Sequence, residues 1–146
     1  MGYGDVSGVA AAVLGCYLSA AERYQVPADL LRAIAHVESG EHAYAVHVNS
    51  NGSVDVGWMQ INSQWFPVLA RRGIAVRDLF VPCVNIAIGA WILAQEVDRF
   101  GYTWQAIGAY NAGPYDARTR DRKLALFRAY ANRVLVYWRS LWERRQ

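Results

Sequence analysis

The chain contains no run of about 18 apolar residues, so no segment reads as a membrane-spanning helix. Charged residues make up only 18%, too few for a charge-rich disordered chain. Internal repeats and low-complexity linkers are missing, and the four prolines are scattered as punctuation. The zinc-protease pattern H-E-x-x-H is also missing, although His36, His42 and His47 lie near Glu38 and Glu41. Two cysteines, Cys16 and Cys83, are too few for a disulfide scaffold. They are either a bridge worth about 4 kcal/mol in chain entropy or two buried free thiols.

What is present describes one globular domain over residues 1–146. Hydrophobic residues make up 54% of a chain that should bury roughly two-thirds of its unfolded surface. Residues 1–13 read as a residual or disordered lead. Within them VAAAVLG faintly resembles an export signal, but no positive charge precedes it. The net charge of +3 is uneven: residues 114–146 carry nine Lys or Arg against three Asp or Glu, and residues 1–113 carry six against nine. A basic tail suits an anionic polymer or an acidic partner, or is only a solvated helix face. Its arginines alternate with aromatics and no nucleic-acid recognition motif appears, which argues against nucleic acid.

Periodicity predicts a helix over 14–24, ended by Pro27, and a second helix from Pro27 to a stop at Gly40, with Asp29 in its first turn. Valines 46, 48, 54 and 56 alternate around Asn51-Gly52 and predict a hairpin. A short helix follows over 63–72, then a long one from Pro82 to Phe100 that is apolar nearly all round in its first half. Helices over 103–110 and 121–142 complete a mainly helical α+β domain. A cleft between the helices and the hairpin is the natural place for a site.

Glu38 falls on the apolar side of its helix, four residues after Ile34 and seven after Leu31. Desolvation and the helix C-terminus both favour its protonated form, the state of a general acid. Asp55 interrupts a valine strand and alternation turns it away from Val54 and Val56; otherwise it is a hairpin aspartate bonding to backbone. An acid and an anion across one cleft are what glycosidic cleavage requires.

Glu38-Ser39, GWMQIN at 57–62 and AYNAG at 109–113 resemble, in order and spacing, the three motifs of lytic transglycosylases of the soluble-lytic-transglycosylase-like (SLT) type. Within that family the likeness is to small enzymes that accompany secretion, pilus and conjugation systems. The stretch NSNGSVDVGWMQINSQWF is also similar to the hairpin of C-type lysozymes, whose second carboxylate falls on Asp55. The resemblance implies a lysozyme-like domain whose hairpin flanks the cleft, a Cys16–Cys83 disulfide, and work in the periplasm or cell envelope after export. It implies that Glu38 protonates the bond between N-acetylmuramic acid and N-acetylglucosamine, then takes the proton of the muramic 6-hydroxyl to give a 1,6-anhydro end. Ser39 and Gln60 then bind the sugar near its acetamido group, Met59 forms an apolar wall, and Tyr110 and Asn111 hold Glu38 and substrate. Asp55 is essential, auxiliary or idle, because many members lack a carboxylate there. Trp58 replaces the family's usual aliphatic residue and either fills the core or shapes a sugar subsite. Implied partners are peptidoglycan strands and a protein of an envelope-spanning apparatus. No metal or organic cofactor is needed. The rival readings are a lysozyme-type hydrolase, a metal site among the histidines and a non-catalytic binding module.

Overall fold

The computed structural model describes residues 3–113 and 116–145, with side chains from residue 11 onward. Six α-helices, α1 (Tyr3–Tyr24), α2 (Ala28–Ser39), α3 (Phe66–Arg71), α4 (Pro82–Phe100), α5 (Trp104–Ala112) and α6 (Arg120–Arg144), surround a small sheet of β1 (Val46–Val48), β2 (Val54–Val56) and β3 (Ile61–Asn62). Of the loose lead expected over residues 1–13, residues 1 and 2 lie outside the described residues. The backbone is helical from Tyr3, ahead of the expected start at 14.

Local chemistry sets most of these boundaries. Pro27 sits in extended geometry just before α2, and Gly40 ends that helix in the left-handed region, returning its N–H to Ala35 and His36 carbonyls. The expected helix over 63–72 is instead a 3-10 turn, Ser63–Trp65, followed by α3. The Asn62 side chain caps that turn by accepting from the Gln64 N–H, and Pro67 in the first turn of α3 fixes helical φ where no intrahelical donor is needed.

α4 runs through the middle, with Ile86, Ala90 and Leu93 wholly buried between α1 and α5. Glycine permits two close approaches here. A Cβ on Gly89 would lie 2.5 Å from the Met59 sulfur, and one on Gly108 would lie 2.2 Å from the Phe127 Cβ where α5 crosses α6. α6 buries Phe127, Tyr130, Ala131, Val134 and Leu141, while Trp138 is only partly covered. The Cys16–Cys83 disulfide forms, with Cα atoms 5.2 Å apart, and ties α1 to the first turn of α4.

The hairpin strands fall where the valines alternate, with His47 opposite Asp55, but β2 also pairs with β3, so Asp55 lies opposite Asn62 as well. That third strand is too short, at two residues, to carry a period. Val56 is buried, whereas Val46 and Val48 are exposed. β1 and β3 are the two edge strands; β1 leaves its valines open to solvent, whereas Val56 of β2 and Ile61 of β3 face the core.

Candidate active site

The end of α2, the sheet and the α5–α6 corner enclose a polar cleft of about 540 Å³. Glu38 lines it from the last turn of α2 and Asp55 from the middle strand. Burial is the main reason that the Glu38 carboxyl is raised from 4.5 to about 8; the negative charge of Asp55 adds to the rise and the Arg133 guanidinium opposes it. Glu38 therefore carries its proton at neutral pH. Activity should be constant on the alkaline side up to about pH 8 and fall tenfold per unit beyond it, read as kcat/KM on solubilised glycan. Full activity at pH 10 would remove Glu38 as the acid.

Asp55 is held rigidly. Its two oxygens accept from different side-chain amides, Oδ1 from Asn62 at 2.8 Å and Oδ2 from Asn49 at 3.0 Å, and both amides also meet the Ser53 hydroxyl. The sheet thus presents a fixed anion to the cleft, with its ligands drawn from the hairpin turn and from β3. The backbone-bonding alternative does not describe it: both partners are side chains.

Gln60 and Asn111 also line the cleft, as does Tyr110, which is half-buried and donates to the Met59 carbonyl at 2.7 Å. Burial raises the Tyr110 phenol well above its ordinary range, and the charges of Glu38 and Asp55 add to that. It is a neutral donor throughout the working range. Gln60 has a left-handed φ of 54°, and its side-chain amide holds the turn by donating to the Ala45 and Gly57 carbonyls. A non-glycine residue in that region stores roughly 1 kcal/mol or more, which the surrounding bonds must offset.

Three expected sugar-binding residues lie behind the cleft. Met59 is wholly buried against Gly89. The Ser39 hydroxyl donates to the Trp58 carbonyl at 2.6 Å and accepts from the His42 N–H, which ties the end of α2 to the 57–60 turn. The Trp58 indole turns toward α1 and donates to the Tyr17 hydroxyl at 2.6 Å; that hydroxyl donates to Glu41, which Arg32 pairs at 3.3 Å. All three side chains position the turn. Of the histidines, His36 stacks on Tyr137 with ring centres 3.7 Å apart, His42 bonds the Ser39 carbonyl, and His47 is exposed on β1. They do not converge.

Several residues here carried no expectation. Asn85, fully buried, accepts from the Met59 N–H at 2.6 Å and donates to the Val56 and Leu79 carbonyls. Its signal was present as one amide in an otherwise apolar helix segment, since a buried amide must be paired. Tyr130 has a buried hydroxyl without a hydrogen-bond partner among the described residues. Burial raises this phenol most, and the charges of Glu38 and Tyr110 raise it further, so it stands beside the acid, with Arg133 over its ring at 5.6 Å. Trp65 lines the cleft, braced edge-on by Trp91.

A helical domain that sets a protonated glutamate and a fixed aspartate along one polar cleft belongs to the glycan-cleaving, lysozyme-like class of enzymes. Comparison with known proteins is more specific. The family model "Transglycosylase SLT domain" matches residues 15–129. Invasion protein IagB of Salmonella typhimurium is 38% identical over 127 residues, covering 86% of this chain and 76% of that protein. Protein IpgF of Shigella sonnei is 41% identical over 108 residues, covering 73% and 71%. The lytic transglycosylase Slt of Pseudomonas aeruginosa, solved as an inactive glutamate-to-glutamine mutant, superposes with a TM-score of 0.67 at 27% identity. The match covers 85% of this chain and 23% of that one. The chain belongs to the transglycosylase SLT family.

Proposed function

We propose that the protein is a peptidoglycan lytic transglycosylase that cleaves the β-1,4 bond from N-acetylmuramic acid to N-acetylglucosamine and leaves 1,6-anhydro ends. The observation that carries this reading is the half-buried Glu38, protonated up to about pH 8 in a polar cleft that also holds Asp55. Glu38 gives its proton to the glycosidic oxygen as the bond to C1 breaks. The Asp55 carboxylate, held by Asn49 and Asn62, steadies the positive charge that develops on the sugar. Glu38, now ionised, takes the proton of the 6-hydroxyl as O6 closes on C1, which restores the acid without water. Proton transfer and charge stabilisation of this kind need no cofactor.

The chemistry places the work in the envelope, where the polymer lies, and a Cys16–Cys83 bridge suits that oxidising compartment. Similarity to a protein named for invasion supports a role in opening the wall locally for an envelope-spanning apparatus. Mass spectrometry of digested peptidoglycan tests the reaction. Anhydro ends are expected, whereas reducing ends alone would make the protein a lysozyme-type hydrolase.

A further inference from the structure

One cation lines the cleft among the described residues. It is Lys123, the single lysine of the chain, in the first turn of α6. Its stem is partly buried, and its ammonium donates to the Ala112 carbonyl at the end of α5. An ammonium has three N–H groups, so that bond anchors it and leaves two for another acceptor. None of the ion pairs among the described residues involves Lys123. Asp116 feels its charge but turns its Oδ1 to the N–H groups of Arg118 and Thr119.

Apart from the two acids, the polar side chains of the lining are neutral amides and hydroxyls, among them Asn49, Ser50, Ser53, Gln60 and Gln64. Such groups suit the hydroxyl and acetamido groups of a sugar. They bring no positive charge to offset that of an anion, which the Asp55 carboxylate would repel. Lys123 is tied to the cleft's α5 end through the Ala112 carbonyl, whereas Glu38 lines the cleft from the last turn of α2.

We infer that Lys123 is a specificity residue that pairs with a carboxylate on the 3-O-lactyl arm of muramic acid, so the cleft prefers muramic-containing glycan to neutral glycan of the same length. This rests on the proposed function. Two sources share that chemistry: a carboxylate of the stem peptide, or the lactyl carboxylate exposed when the peptide is removed.

The test measures equilibrium binding in the Glu38→Gln background, where the ligand is not consumed. Three matched tetrasaccharides serve as probes: muramic-containing with stem peptides, muramic-containing with free lactyl groups, and chitotetraose. Lys123→Met should weaken at least one muramic-containing probe roughly tenfold and chitotetraose less than twofold, and the affected probe identifies the source. Lys123→Arg should restore most of the loss, and about 0.5 M salt should shrink the preference. An equal loss on all three probes would mean that Lys123 only props the Ala112 carbonyl, and no loss on any would mean that it is idle. Either overturns the inference and leaves the glycan reading standing. Failure of all three to bind before Lys123 is changed would overturn both.

Discussion

Glu38→Gln is expected to lower peptidoglycan turnover by roughly 10²- to 10⁴-fold with strand binding retained, because glutamine keeps the shape and loses the transferable proton. A pure binding module would have no turnover to lose, so the comparison separates enzyme from scaffold. The same substitution should make the fold more stable. Below about pH 4.5 Glu38 is protonated in folded and unfolded chains alike and costs nothing. Between 4.5 and about 8 the unfolded chain ionises and the folded one does not, so stability falls as pH rises, and the loss is complete once the folded group ionises near 8. The deficit at pH 8 is roughly 3–4 kcal/mol, which glutamine does not incur. Thermal melts of the two proteins should coincide near pH 4 and separate by several degrees at pH 8. Melts that stay together across that range would show that Glu38 is solvated and would remove the basis for its role as acid.

The second large effect is structural and lies at Asn85. Its amide joins three backbone segments: the end of β2 at Val56, the turn at Met59 and the 3-10 turn at Leu79. Gly57 passes so near that a Cβ there would stand 2.4 Å from the Asn85 amide nitrogen, at a φ of 81° that already favours glycine. Asn85→Leu removes all three bonds and strands a buried N–H and two buried carbonyls, at roughly 1–3 kcal/mol each. A fall on the order of 5 kcal/mol in urea-unfolding free energy is expected. A loss below 1 kcal/mol would show that water or rearranged backbone replaces the amide. The turn also presents the Met59 carbonyl to Tyr110 and holds Gln60 in its left-handed geometry, so whatever folded protein survives should lose activity as well.

The two acids were legible for different reasons. Glu38 violates the 3.6-residue pattern of α2, and Asp55 violates the composition of a strand. Each is a charged group on a segment whose other residues ask for burial, and such conflicts mark functional sites. Helix ends were legible where a single residue dictates backbone geometry, as Pro27 and Gly40 do. β3 was not, since two residues show no period. The exposure of β1 was not legible for a related reason: alternation shows that side chains point to two faces, not whether anything covers either face. The partners of Trp58 and Ser39, the Tyr17 hydroxyl and the Trp58 carbonyl, are reached only through tertiary packing, so no local pattern shows them.

The sequence alone determined the order of the long helices and the two out-of-place carboxylates, because local periodicity, turn residues and misplaced charge are properties of short segments. Only the tertiary structure decided which side chains line the cleft and which brace it. Burial and pairing depend on segments far apart in the chain: Asn85 reaches back to Met59, Tyr130 stands beside Glu38, and Asn49 and Asn62 converge on Asp55.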